Sequence, residues 1–379
     1  MQFDLSQDEK NIHALGQKLA REVLAPQAQK TDAGEFPFAN LRALAATGLL
    51  GIKSPTEFGG LGASNVAYCV AIRELAFACA STTVAVAVTN MVGDMLVKFG
   101  DEQQRQRYLG PLCRGEFVAG SFALSETGAG SDAASLRTRA DAVDGGYRLN
   151  GSKMWITSGD VAGVVLVMAK TDPSKGARGI SSFLVEPNSP GFEVGRHEEK
   201  LGLRGSSTVA LNFTDVFVPT ENRLGPEGCG FEVAMTALDG GRCGIGAQAL
   251  GMGYAVLHAL VQHMPARKAS DRALGTDQSS QFRLADIALK LDAAWLMVLR
   301  AAWLRDQGRK MTREAAMAKV IATEAANFAC QTGLGLMGAS ALRRDSPVAR
   351  AFRDVRVSRI YEGTSEVQRL VIARSLSGR

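Results

Sequence analysis

Apolar residues recur at helical spacing near the start of the chain, at Ile12, Leu15, Leu19 and Val23. Ser6 followed by Glu9 has the form of a capping box, so the spacing predicts a helix from Ser6 to Val23 that Pro26 ends. A second helix is expected from Phe38 to Leu49, running into Gly51, and Pro55, Gly59, Gly60 and Gly62 mark a loop. From Ser64 to Phe99 the chain is almost uncharged, broken by Arg73, Glu74, Asp94 and Lys98. Helices without a polar face are buried on several sides, so two core helices are predicted here. A further helix from Asp101 to Tyr108 should stop at Gly110-Pro111.

At Gly115 the period changes. Phe117 to Leu124 reads as a strand, and from there to Pro219 short β-branched runs alternate with turn signals such as Asp144-Gly145-Gly146, Asn150-Gly151 and Pro190-Gly191. That spacing predicts a small antiparallel sandwich or barrel. Beyond Gly230 the helical period returns, first from Phe231 to Val261 with glycines at 240, 241, 244, 246, 251 and 253. Each costs a helix about 1 kcal/mol relative to alanine, and in exchange permits close backbone packing. Helix Gln281 to Arg305 carries Leu284, Ile287, Leu291, Leu296 and Leu299, Arg313 to Leu334 follows, and Leu370-Val371-Ile372-Ala373 opens a last helix. Short connections between long helices imply an antiparallel bundle. The expected fold is mostly α with a central β domain: an N-terminal helical domain over 1–116, a middle antiparallel β-sandwich or barrel over 117–225, and a C-terminal four-helix bundle over 226–379.

Composition describes an ordinary globular protein, with 46% apolar and 21% charged residues over 379 positions. The net charge of +5 is scattered, without the basic stripe and interleaved aromatics of a nucleic-acid binder, though it suits a phosphate-bearing ligand. Cys69, Cys79, Cys113, Cys229, Cys243 and Cys330 form no C-x-x-C pair and have no histidine in zinc spacing. No metal site is expected, and they read as buried thiols of a reducing compartment. Residues 1–6 lack the basic and apolar regions of a signal peptide, and no uninterrupted apolar run reaches bilayer length. The expectation is a cytoplasmic protein without membrane insertion.

Candidate chemistry concentrates in Ile360-Tyr361-Glu362-Gly363-Thr364-Ser365-Glu366-Val367-Gln368-Arg369. A carboxylate stands there beside a glycine that lets backbone approach a ligand, and Thr364 and Ser365 offer cap oxygens to the following helix. The run resembles the signature of the acyl-CoA dehydrogenase family, whose glutamate removes the α-proton of a thioester. The order helix, sheet, helix matches that family too, and three more stretches extend the resemblance over essentially the whole chain.

The first is Phe122-Ala123-Leu124-Ser125-Glu126-Thr127-Gly128-Ala129-Gly130-Ser131-Asp132, a glycine-relaxed loop able to cradle a ring or a phosphate. The resemblance lays it along the isoalloxazine of FAD, with Phe122, Leu124, Ser125 and Gly130 at the cofactor and Ser131 between flavin and thioester. The second is Lys153-Met154-Trp155-Ile156-Thr157-Ser158-Gly159, in which Trp155 and Ile156 would lie against the flavin and Thr157 would bond near N5, the hydride acceptor. The third is Leu238-Asp239-Gly240-Gly241-Arg242. Taken alone, Asp239 and Arg242 make an i,i+3 ion pair on a helix surface. By resemblance they contact the acyl-CoA, and the alternative base position of some members falls on Gly241, leaving Glu362 as the candidate. Tyr361 would line the acyl pocket, Gly363 would leave room for substrate, and Thr364 and Glu366 fall at FAD positions.

Arg267 and Gln278 complete the cofactor contacts that the resemblance implies. Two runs depart from the family pattern on the side of FAD held by a neighbouring subunit: Arg267-Lys268-Ala269-Ser270-Asp271 lacks the usual Phe-Gly, and Gly335 to Ala341 keeps one glycine of the usual run. Three readings follow. One is a homotetrameric short-chain acyl-CoA dehydrogenase passing electrons to an electron-transferring flavoprotein. Another acts on a carrier-protein-bound or branched acyl thioester, and the third works as one subunit of a mixed tetramer.

Overall fold

The computed structural model describes residues 4–265, 268–269 and 272–378. The capping box forms, with Glu9 N donating to Ser6 Oγ at 3.3 Å and Ser6 N donating to Glu9 Oε2 at 2.8 Å, and helix α1 runs Gln7–Leu19. Pro26 does not end the helical run. A π-helical turn, Ala20–Leu24, intervenes, and α2 (Ala25–Asp32) continues with Pro26 in its first turn, where a missing N–H is tolerated. Helix α3 (Phe38–Ala45) is shorter than expected because Gly48, at φ +78°, turns the chain into a 3₁₀ turn at Leu49–Gly51. Helices α4 (Asn65–Ala78) and α5 (Ala80–Phe99) are the two core helices, and Ser64 caps the first. Gly110-Pro111 repeats the behaviour of Pro26: after α6 (Glu102–Gln104) a π turn at Arg105–Leu109 leads into α7 (Gly110–Arg114), and the stop comes at Gly115, φ +72°.

One curled sheet follows, built of β1 (Gly120–Ala123), β2 (Arg139–Val143), β3 (Gly146–Thr157), β4 (Val164–Lys170), β5 (Ile180–Val185), β6 (Phe192–His197) and β7 (Thr208–Pro219). Most pairs are antiparallel, as expected. The exception is β4, which runs parallel to β1 from Gly120↔Val164 to Ala123↔Val167 and meets β2 in parallel at Arg139↔Lys170. Its run Val164-Val165-Leu166-Val167-Met168-Ala169 is wholly buried, the pattern of a strand covered on both faces. Strand β3 is irregular between Lys153 and Ile156, which turns Trp155 outward at φ +63°.

Helices α8 (Gly230–His263), α9 (Gln278–Asp306), α10 (Thr312–Met337), α11 (Pro347–Val355) and α12 (Ser365–Leu376) complete the fold. The glycines of α8 take close neighbours: a Cβ at Gly251 would stand 2.3 Å from Arg73 O, and one at Gly253 would stand 2.6 Å from Leu291. By length and composition α5 and α8 are apolar enough to cross a bilayer, although neither is an uninterrupted apolar run, and 89% and 67% of their apolar windows are buried inside the fold. On α9, Ile287 and Leu291 are buried as expected while Leu296 is 52% exposed. Five cysteines are buried free thiols, and Cys229 is half-buried.

Candidate active site

The site begins where α12 begins. Thr364 is its cap, its Oγ1 accepting from Val367 N at 3.2 Å, and the two residues before it are both left-handed, Glu362 at φ +51° and Gly363 at φ +94°. Such backbone is uncommon for a non-glycine residue and persists where the surroundings hold it. Two side chains hold it here: Lys319 Nζ donates to Gly363 O at 2.7 Å, and Gln368 Nε2 donates to Glu362 O at 3.3 Å. A Cβ on Gly363 would stand 2.2 Å from that Gln368 nitrogen. Among the described residues the Glu362 N–H donates to no acceptor.

The turn aims the Glu362 carboxylate at the glycine-rich face of α8. A Cβ on Gly241 would stand 2.0 Å from Glu362 Oε2 and 2.6 Å from Met91 Cε, so only a residue without a side chain leaves the carboxylate its place. Oε2 is shut from water and has no hydrogen-bond partner among the described residues. Burial pushes the pKa of Glu362 up to about 7, although Lys319 and Arg242 pull it down. Arg242 is not on a helix surface. It is 5% exposed, its Nη1 donates to Asp239 Oδ1 at 2.5 Å, and its Nε has no partner among the described residues. Asp239 is steadied by Thr312, whose hydroxyl donates to Oδ2 at 2.7 Å. The Tyr361 hydroxyl donates to Gln248 Oε1, and Gln248 is fixed to Ala80 O at 2.9 Å, so the aromatic neighbour of the carboxylate is tied into the helical core.

The loop after β1 and the irregular part of β3 come together. Met154 N donates to Ser125 O at 2.9 Å, Ser121 Oγ to Thr157 O at 2.7 Å, and Lys153 Nζ to Leu124 O at 3.1 Å. Glu126 is the knot of this arrangement. It accepts from Lys153 Nζ at 2.8 Å, Thr138 Oγ1 at 2.6 Å, Thr138 N at 2.9 Å and Arg137 N at 2.6 Å. Lys153 is fully buried, with its pKa pushed down to about 8 by desolvation against the pull of Glu126. Outside this knot the surface is open: Trp155 is 59% exposed, Gly128 and Gly130 have nothing within 4 Å of a built Cβ, and Ser131 is exposed. An outward indole on unusual backbone, with free hydroxyls and a glycine loop beside it, fits a flat heteroaromatic group. Ile156 is buried and Thr157 half-buried behind it.

The two halves share a helix. Leu124 and Ala129 belong to the same apolar cluster as Met91, with Phe122 packed against it, and Met91 is the α5 side chain lying at Gly241 and Glu362. Glu366 is exposed on α12. Gln278 stands exposed at the start of α9, bonded to neither half, and Arg267, Ser270 and Asp271 lie outside the described residues. Sequence reasoning assigned no role to Lys319, Gln248, Glu126 or Lys153. Their partners are 11 to 168 residues away, and a buried lysine leaves no local signal.

The chain matches the family models for the N-terminal domain of acyl-CoA dehydrogenase over residues 6–116, the middle domain over 121–216 and the C-terminal domain over 228–377. It is 42% identical over 378 residues to an acyl-CoA dehydrogenase of Bacillus subtilis, covering 99% of both chains. It is 38% identical to the short-chain specific acyl-CoA dehydrogenase of Clostridium acetobutylicum, covering 98% of this chain and 99% of that one. The structure of butyryl-CoA dehydrogenase from Megasphaera elsdenii superposes with a TM-score of 0.97 at 36% identity, covering all of both chains. The chain belongs to the acyl-CoA dehydrogenase family, oxidoreductases of the CH–CH group of acyl-CoA that work with FAD.

Proposed function

We propose that the protein dehydrogenates a short-chain acyl-CoA between its α- and β-carbons, giving the trans-2-enoyl thioester, with Glu362 as the base. The observation that carries this is the Glu362 carboxylate itself, set against Gly241 with its Oε2 shut from water and unpartnered among the described residues. A carboxylate of ordinary pKa, about 4.3, is a poor match for an α-hydrogen. With its pKa near 7 the same group is a much stronger base and is still half ionised at neutral pH. The unengaged Glu362 N–H can donate to the thioester carbonyl and steady charge developing there. Arg242 and Asp239 hold the body of the substrate, Tyr361 walls the acyl group, and Gly363 gives the thioester room. FAD, held by Trp155, Ile156, Thr157, Phe122, Leu124, Ser125, Gly130 and Ser131, with Thr364 and Glu366 at its edge, supplies a two-electron acceptor. An electron-transferring flavoprotein then takes the electrons onward.

Assembly has its own support. Phe282, Leu289, Leu296 and Trp303 lie seven residues apart along α9 and are 62%, 69%, 52% and 48% exposed. A seam of that period suits packing against other copies of the chain, as in a homotetramer. The altered run at Gly335 to Ala341 favours a second reading, a mixed tetramer whose partner completes the FAD grip. The test is Glu362→Gln. It should keep bound flavin and lose reduction by butyryl-CoA by at least about 10²-fold, the smaller end of what a general base contributes. Undiminished reduction removes the assignment.

A further inference from the structure

We infer that Lys319 is a positioning residue for this base: its ammonium fastens the Glu362–Gly363 turn and serves as the counter-charge of the Glu362 carboxylate. The inference rests on the assignment of Glu362 above. Lys319 is fully buried in α10, and a lysine is seldom so placed unless something specific compensates the lost hydration. No carboxylate lies within ion-pair distance of it among the described residues, and its side chain donates to Gly363 O at 2.7 Å. A single neutral carbonyl is weak compensation for a buried charge.

The charged groups around Lys319 narrow the choice. Glu362 and Glu366 attract it, while Arg242 from α8 and Arg359 from the turn before the site repel it. Glu366 is exposed to water, which leaves Glu362, half-buried with its Oε2 shut from water, as the partner. Seen from Glu362, Lys319 and Arg242 are the two cations that favour its ionised form, and Arg242 is already bound to Asp239. Tyr68 and Tyr361, the other titratable groups beside the carboxylate, are both pushed up by burial and stay neutral. The mechanical role is separate. Lys319 makes the shorter of the two bonds that hold consecutive left-handed residues in place, so it fixes where the carboxylate points.

The test uses the FAD-loaded protein. The protonation midpoint of the Glu362 carboxyl is read by difference infrared spectroscopy without substrate, with Glu362→Gln as the blank, and the acid limb of flavin reduction by butyryl-CoA is read beside it. Lys319→Gln, which keeps a donor for Gly363 O but no charge, should move both upward by about one pH unit or more, with activity largely recovered at high pH. Lys319→Met should show the same shift and remain slow at every pH. Lys319→Arg should leave the midpoint near that of the natural protein, and it carries the test together with Lys319→Gln if the methionine variant does not fold. An unmoved midpoint in Lys319→Gln overturns the inference and leaves Glu362 as the base, whereas a Glu362→Gln protein that still reduces its flavin overturns the base assignment itself.

Discussion

Gly241→Ala separates stability from activity in opposite directions. On helix propensity alone the change favours α8 by about 1 kcal/mol. The new methyl, however, would stand 2.0 Å from Glu362 Oε2 and 2.8 Å from its Cδ, with Met91 Cε at 2.6 Å. Carbon and oxygen settle at roughly 3.4 Å or more, so the carboxylate must retreat by about 1.4 Å. The atoms that give way are the ends of two side chains, so the fold tolerates the change. Catalysis should not, because misplacing a reacting group by about 1 Å costs on the order of 10²-fold, or about 2.7 kcal/mol of barrier. Stopped-flow measurement of flavin reduction by butyryl-CoA, paired with a melting curve, reads both effects. A Gly241→Ala protein that melts no earlier than the natural one but reduces its flavin about a hundredfold more slowly is the expected result. More than half the natural rate at unchanged substrate affinity would refute the placement of the carboxylate against α8.

The raised pKa of Glu362 sets a pH dependence: the base must be ionised, so the rate should climb as pH rises through about 7 and level off above it, and a limb already flat by pH 5.5 would contradict the burial seen here. Glu126→Ala should strip Lys153 of its counter-ion and leave an ammonium buried, destabilising the middle sheet by about 3–5 kcal/mol and lowering retained FAD; calorimetry and the flavin-to-protein absorbance ratio measure the two. Replacing Leu289 and Leu296 together by aspartate should leave the subunit folded and dissociate the assembly in sedimentation, and an unchanged sedimentation coefficient would show that the α9 seam is not an interface.

Signals carried by neighbouring residues were legible in the chain. Ser6 and Glu9 cap one another as read, Ser64 caps α4, and the Tyr361–Ser365 run does open a helix behind a carboxylate. What escaped depends on partners distant in sequence or on a wider period than one helical turn. The parallel pairing of β4 with β1 joins strands about forty residues apart, and alternation within either strand does not encode it. Leu296 shares the apolar pattern of α9 with Ile287 and Leu291 yet is exposed, because 3.6- and 7-residue spacings overlap and burial alone separates them. Lys319 reads on paper as one more solvated charge of an amphipathic helix. Only the fold brings it beneath Gly363.

The wide turns ahead of Pro26 and Pro111 bear on how this architecture tolerates lengthening. Such a turn is what an α-helix becomes when one residue is added and the rod is kept whole. Deleting a single residue from 20–24 should restore ordinary winding and leave everything after it close to its present phase, whereas a residue added without widening the turn would spin it by about 100°. Asp32 would keep its pairing with Arg353 of α11 and Ala28 its place in the core. The wide turn therefore lets the opening helices carry an extra residue without losing their phase against the closing ones, from a place far from any chemistry.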